Sequence, residues 1–340
     1  GASSTNYSVQ EYANDVVYHL LEICKAEDLP HPNIISESGR AMTAHHSILV
    51  FNVLDVTSFP EWSEQIEIAD DAPEVVKEIF DVLDFISNKN LIESWHDAVH
   101  LKDEAQNQFL LGLISLNDRA MAERIYWGIG RKIEKLSSRL KFLPDDICSL
   151  KTKLADKYFC NFSVFQSVPD SWAIDQVFPV VPLNRLNEEP DRDATLEDLT
   201  CDSDGRIDTF IGTHGGTENT LRVHSLQPGE TYSLCIFLTG AYQEILGDLH
   251  NLFGDTNTVH VSLKEDGSLN YEQIIEGEDV TDVLDYVQFS ADELAGRIDG
   301  FLIGCVQRGV VTQKEADDFL ALYKVGLNGY TYLVKPGEID

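Results

Sequence analysis

The stretch "NIISESGRAMTAHH", Asn33 to His46, decides how the chain is read. Two isoleucines open it like a short buried strand, and Glu37, Ser38, Gly39 and Arg40 follow at once. A carboxylate at a strand end can meet a ligand over the mouth of an α/β barrel. A glycine beside it lets the backbone come close, and an arginine offers a fork of donors to a phosphate or carboxylate. The same four residues also fit a turn with a surface ion pair, and spacing alone leaves both readings open. His45 and His46 point in different directions on a helix or strand, so they do not ligate one metal without other partners.

Working outward, residues 8–27 read as a helix. Ser8 and Glu11 have capping-box spacing, and Val9, Tyr12, Ala13, Val16, Val17, Leu20, Leu21 and Cys24 form one apolar stripe. Pro30 and Pro32 stop it, so helix and strand together make half of a β/α repeat. "ILVFNVLDV", 48–56, is a second β-rich run. From about 72 to 157 the period is helical. Pro73 stands where a first turn tolerates it, "NQFLLGLISLNDRAMAERIYWGIGRKIEKLSSRL" keeps the period over a long span, and Pro144 breaks it. Arg131, Lys132, Lys135 and Arg139 fall on one helical face, read as a solvated or salt-bridged surface. After 157 strands dominate, in "YFCNFSVFQSV", "QVFPVVPL", "ATLEDLTC" and "TYSLCIFLTG". "VHVSLKEDGSLNYEQII" reads as a hairpin turning at Asp266-Gly267. Two helices, about 290–307 and 312–325, close the chain.

The predicted fold class is α/β plus β. Its parts are the end of an α/β barrel (1–57), a linker (58–72), a helical-bundle insertion (73–157), a β-barrel-like domain (158–286) and a terminal helical segment (287–340). An α/β barrel takes eight units and roughly 250 residues. Too few lie before residue 57, so most of such a barrel is expected upstream, and the missing initiator methionine fits a fragment.

Composition limits the partners. Of 340 residues 43% are apolar, which supports a packed core, and 58 acidic against 25 basic residues give a net charge of −33. A surface this negative repels nucleic-acid phosphate and anionic membranes. No apolar run approaches the ~20 residues of a membrane span, and "GASSTNYSVQ" at the start is no signal peptide. The six cysteines, at 24, 148, 160, 201, 235 and 305, include no C-x-x-C pair, which reads as reduced thiols in a cytoplasmic protein.

Two further places concentrate chemistry. "TCDSDG", Thr200 to Gly205, ends a strand and flanks Cys201 with Asp202 and Asp204. Neighbouring carboxylates disfavour a thiolate, which suits a proton donor better than a nucleophile, and the acids can hold a cationic substrate group. A plain D-x-D-G turn with a buried cysteine accounts for the same pattern, and the glutamate of a calcium loop is missing. "GAYQEILGDLHNLFGD", Gly240 to Asp255, sets Tyr242 at the exit of an apolar strand. A phenol there can donate to a phosphate oxygen or sit half-buried at a core edge. "THGGT", 213–217, reads as a flexible loop.

"ESGRAMTAHH", "NFSVFQSVPDSWAIDQVFPV", "TCDSDGRID", "GAYQEILGDLHNLFGDTNTVHV" and the terminal "GLNGYTYL" closely resemble the biosynthetic arginine decarboxylases. These are pyridoxal-phosphate enzymes of the alanine-racemase-like class, with ornithine and diaminopimelate decarboxylases. The match runs in order along essentially the whole chain. It implies a cofactor-carrying barrel, a helical bundle and a β-domain, of which this chain is the later portion. The family's Schiff-base lysine, Gly-rich phosphate loop and ring-stacking histidine are then expected upstream, and the piece alone is expected to be inactive.

By resemblance the family's E-P-G-R motif falls on Glu37, Ser38, Gly39 and Arg40, with Ser38 in place of proline. Glu37 would hold the cofactor's ring nitrogen, Gly39 would admit the phosphate, and Arg40 and Tyr242 would bind it. Cys201 would protonate the carbanion left by CO2, and Asp202 would face the substrate's cationic end, both in a neighbouring subunit's site. Asp204 is a further candidate there. Phe162 stands where ornithine enzymes carry a second acid, which favours a different cation. The implied function is conversion of L-arginine to agmatine for polyamine synthesis, by a cytoplasmic homodimer or homotetramer binding neither nucleic acid nor membrane. Magnesium accompanies this branch, and no ligand cluster in the sequence calls for it. Two other readings remain: a non-catalytic relative that regulates an active partner, and a decarboxylase of another basic amino acid.

Overall fold

A computed structural model describes residues 8–59, 66–137, 145–212 and 215–334. Helix α1, Val9–Ala26, starts where the capping box predicts. Glu11 N donates to Ser8 Oγ at 3.2 Å, and Ser8 N donates to Glu11 Oε2 at 2.6 Å. Those bonds satisfy two orphan donors of the first turn and hold the Glu11 carboxyl below its ordinary range. The expected strand "NIIS" does not form. Ile35 is 93% exposed, and no described strand lies beside it to complete the ladder a strand needs. Residues 29–38 run irregularly to the short helix α2, Gly39–Thr43.

The second β-rich run forms β1, Ile48–Thr57. It runs through the centre of a seven-stranded sheet built with later segments. Its first half pairs antiparallel with β9, Ser233–Phe237, from Ile48↔Phe237 to Asn52↔Ser233. Its second half pairs antiparallel with β2, Asp156–Cys160, from Val53↔Cys160 to Thr57↔Lys157. An irregularity between Val53 and Asp55 marks the change of partner. A bulge adds local twist and lets one strand serve two halves of a curved sheet. β2 continues, in parallel, to Arg192–Glu197 (β4), which also pairs with Arg206–Ile207 (β5) and Leu221–Val223 (β8). Val180–Pro182 (β3) edges β9, and Phe210–Ile211 (β6) pairs antiparallel with Thr217–Glu218 (β7) apart from this sheet. Phe51, Tyr158, Phe162, Leu196, Tyr232, Leu234 and Ile236 fill the core of this sheet.

Between β1 and β2 lie Glu74–Phe85 (α3), Leu91–Leu110 (α4), Leu116–Ser137 (α5) and Asp145–Leu154 (α6). The long periodic stretch is divided between α4 and α5. Gly112, at φ +73°, turns the chain between α4 and α5. Val75, Ile79, Leu83, Trp95, Ile125, Ile129, Ile133 and Leu150 share a separate core. The basic face is an ordinary surface where it is described: Lys132 Nζ donates to Leu83 O at 2.6 Å, and Arg131 pairs with Glu134 at 3.4 Å. Arg139, Pro144, Thr213 and His214 lie outside the described residues.

"FSVFQSV" is not strand. Ser163 caps Val164–Ser167 (α7), and Pro169 opens Pro169–Ala173 (α8). Thr258–Leu263 (β10) and Leu269–Ile275 (β11) form the expected hairpin, over a longer loop in which Gly267 alone takes positive φ, +79°. Val280–Tyr286 (α10), Ala291–Gln307 (α11) and Gln313–Leu327 (α12) end the fold.

Candidate active site

α2 begins at Gly39 and lies against the Gly240–Tyr242 turn that leaves β9. Gly240 N donates to Ala44 O at 2.8 Å, and a Cβ at Gly240 would strike Thr43 O and the His46 ring. The paired histidines thereby divide. His46 Nδ1 lies 2.6 Å from Thr43 O and forms the wall against Gly240, although His46, like His45, is exposed. Tyr242 follows in the left-handed region, φ +70°, at the head of the short helix α9, Gln243–Leu246. That conformation returns its phenol over α2. A Cβ on Gly39 would sit 2.5 Å from Tyr242 Oη, so glycine is the residue that admits the phenol.

Arg40 lies beneath the same ring, its Cζ 5.1 Å from the Tyr242 centroid. Its Nη2 pairs with Asp170 Oδ2 at 2.5 Å. Asp170, on α8, is 6% exposed and also accepts from Gln243 Nε2 at 2.7 Å, while its own N–H donates to Gln243 Oε1 at 3.1 Å. A buried charge needs partners of this kind, and here they lock three segments remote in sequence. Glu37 is exposed and outside this network.

The second cluster is the 198–205 turn beyond β4. Asp198 was not foreseen in the sequence. It is 5% exposed and accepts from Val164 N at 2.8 Å, Thr200 N at 2.8 Å and Thr200 Oγ1 at 2.7 Å. Burial pushes its carboxyl above the ordinary aspartate range, against the pull of those hydrogen bonds. Gly205 passes so close beneath Asp198 and Thr200 that a Cβ would collide with both. Cys201 does not end a strand; it lies on the exposed tip of this turn, not buried as a plain D-x-D-G turn would have it. Its N–H and Sγ lie 3.3 and 3.7 Å from Asn251 Oδ1. Asp202 accepts from Asp204 N at 2.9 Å, and its other oxygen is 3.5 Å from His250 Nε2.

α7 and α8 join the two clusters. The Phe165 ring stacks on His250 at 4.1 Å and meets Trp172 edge-on at 5.3 Å, and Asp170 reaches back to Arg40. Phe162 is fully buried and stacks on Phe51 at 4.4 Å in the core of the sheet. Gly39, Arg40 and Tyr242 are thus brought together, as are Cys201, Asp202 and Asp204. No described contact joins Glu37 to Cys201 within one protomer. Sequence reasoning missed Asp170, Gln243, Asp198, His250 and Asn251. The one signal for Asp170 was its place just after Pro169, at a helix start.

Residues 69–151 match the model of the arginine decarboxylase helical bundle domain, and 280–333 that of the arginine decarboxylase C-terminal helical extension. The chain is 52% identical over 330 residues to the biosynthetic arginine decarboxylase of Bacteroides thetaiotaomicron, covering 97% of this chain and 52% of that protein. Against the enzyme of the same name from Phocaeicola vulgatus it is 48% identical over 331 residues, with the same shares, 97% and 52%. The crystal structure of the biosynthetic arginine decarboxylase of Campylobacter jejuni superposes with a TM-score of 0.78 at 32% identity, over 97% of this chain and 53% of that one. The chain therefore spans about half the length of the relatives it matches. Residues 69–151 and 280–333 are thus arginine decarboxylase domains, in a chain similar over 97% of its length to biosynthetic arginine decarboxylases.

Proposed function

We propose that this chain forms the phosphate-holding and substrate-facing part of a pyridoxal-phosphate-dependent decarboxylase that converts L-arginine to agmatine and CO2. The observation that carries it is the meeting of Gly39, Arg40 and Tyr242. A guanidinium and a phenol, donors suited to a phosphate dianion, converge there beside a bare Cα. The residues present fit the cofactor. When bound, the cofactor supplies an electron sink for the bond to the departing carboxylate.

The chain's own residues do the rest. Arg40 and the Tyr242 hydroxyl donate to phosphate, and Gly39 leaves room for it. Glu37 holds a proton on the ring nitrogen as an anionic partner. Asp202, with Asp204 beside it, takes the substrate's far cation, and that anchor orients the scissile carboxylate. Cys201 delivers its proton to the substrate carbon. Cys201 and Asp202 sit on an exposed turn and make no described contact with Glu37, which supports a site shared between two copies. We assign the chain to a cytoplasmic homo-oligomer feeding polyamine synthesis. We also place the boundary of the cofactor-holding portion at the α2–β1 junction, near residue 47. Magnesium is given no residues: among the described ones no three His, Cys, Asp or Glu side chains converge as ligands.

The test is release of labelled CO2 by the full-length protein from arginine, ornithine and lysine. Arginine is expected to be preferred by at least ~10-fold in kcat/KM, about 1.4 kcal/mol of transition-state discrimination. Preference for ornithine would overturn the substrate assignment. Cys201→Ser is expected to lower kcat far more than it raises KM.

A further inference from the structure

The His250-Asn251 turn faces both substrate-directed side chains of the Cys201 loop. The Asn251 amide oxygen lies 3.3 Å from Cys201 N and 3.7 Å from Cys201 Sγ, and His250 Nε2 lies 3.5 Å from Asp202 Oδ2. Two adjacent residues of one turn thus engage two adjacent residues of another. The engaging turn is held in an unusual backbone shape. Asn251 and Leu252 both take left-handed φ, +55° and +62°. Asparagine tolerates that region, whereas leucine is strained there, and such strain persists only where surroundings enforce it. The surroundings are visible: the Phe165 ring stacks on His250, and Phe165 O accepts from Asp248 N at 3.0 Å.

We propose that Asn251 is the positioning residue for the Cys201 thiol. Its amide oxygen accepts the S–H and the Cys201 backbone N–H together, which fixes the direction of the thiol and keeps the proton on sulfur until it is delivered. His250 steers the neighbouring Asp202 carboxylate in the same way. This rests on the reading that Cys201 gives a proton to the substrate carbon. The step is a transfer of that hydron from sulfur to carbon, with the sulfur left as thiolate and recharged from solvent.

The experiment is alkylation of Cys201 by iodoacetamide at fixed neutral pH, read by mass spectrometry of the Cys201 peptide. The other described cysteines, Cys24, Cys160, Cys235 and Cys305, are buried, and Cys201→Ser supplies the blank. Only the thiolate reacts. Asn251→Gly relieves the backbone and removes the acceptor, so Cys201 is expected to react about 2- to 10-fold faster, the range of one lost hydrogen bond. Asn251→Asp keeps the acceptor, so its rate is expected to equal or fall below that of the unaltered protein. A merely structural role would speed both variants. Equal rates in the Gly variant and the unaltered protein, or acceleration in both variants, overturns the proposal. The assay contains neither arginine nor cofactor. It therefore stands apart from the proton-donor reading, which fails separately if Cys201→Ser leaves kcat unchanged.

Discussion

At the scale of single residues, the site depends on a few positions where geometry leaves one option. Gly39 is one. A methyl group there meets the Tyr242 hydroxyl at 2.5 Å, so Gly39→Ala must displace the phenol. The expected result is weaker binding of pyridoxal phosphate, about 10-fold or more for the loss of one charge-assisted hydrogen bond, read by fluorescence titration of the full-length protein. Asp170 is another. Asp170→Ala leaves Arg40 and Gln243 without their shared acceptor. Arg40 is a third exposed, so water recovers part of the loss, and about 1–3 kcal/mol of stability is expected to go, measured by urea unfolding. Asp198 carries a pH signature. Its carboxyl is raised by burial, so the folded state binds its proton more tightly than the unfolded state does. Its contribution is therefore greatest in acid and declines as pH rises from the ordinary aspartate value of 3.8 through its raised one. The stability difference between the unaltered protein and Asp198→Asn should shrink over that window and level off above it. A difference that grows with pH would contradict the assignment.

At the scale of elements, the sequence told helices from strands wherever caps and periods agreed, and failed where the deciding partner was remote. The Ser8–Glu11 box located α1 to within a residue. "NIIS" has a strand's composition, but a strand is made by its neighbour, and no described segment pairs with it. "FSVFQSV" has apolar, aromatic residues that suit either state, and Ser163 capping with Asp198 behind Val164 tips it to helix. Gly39, Arg40, Tyr242, Cys201 and Asp202 were singled out by the resemblance, and the structure places the first three against one another. Asp170 and Asn251 were not, since each earns its place through a contact from 130 or 50 positions away. Glycines make the helical elements testable. Gly112 has open space around it but φ +73°, so Gly112→Ala is expected to destabilise the α4–α5 turn by about 1 kcal/mol. Gly300, inside α11 with no neighbour within 4 Å, is expected to gain about 0.5–1 kcal/mol on change to alanine. Thermal unfolding of the two variants should move in opposite directions.

At the scale of the whole molecule, charge and topology set the behaviour. A net charge of −33 opposes compaction, and salt screens it. The screening length falls from about 30 Å to about 8 Å between 0.01 and 0.15 M ionic strength, so the unfolding temperature is expected to rise over that range. A fall would show that the ion pairs, not the repulsion, dominate. The centre of the sheet has a further consequence. Thr57, where the chain leaves for the four helices, stands opposite Lys157, where it has come back. The excursion begins and ends at one hairpin mouth. A short Asn-Gly link between those strands should close the gap with every sheet pairing intact. The bundle, with a core of its own, is then an insert whose removal should leave the register of the strands that flank it unchanged.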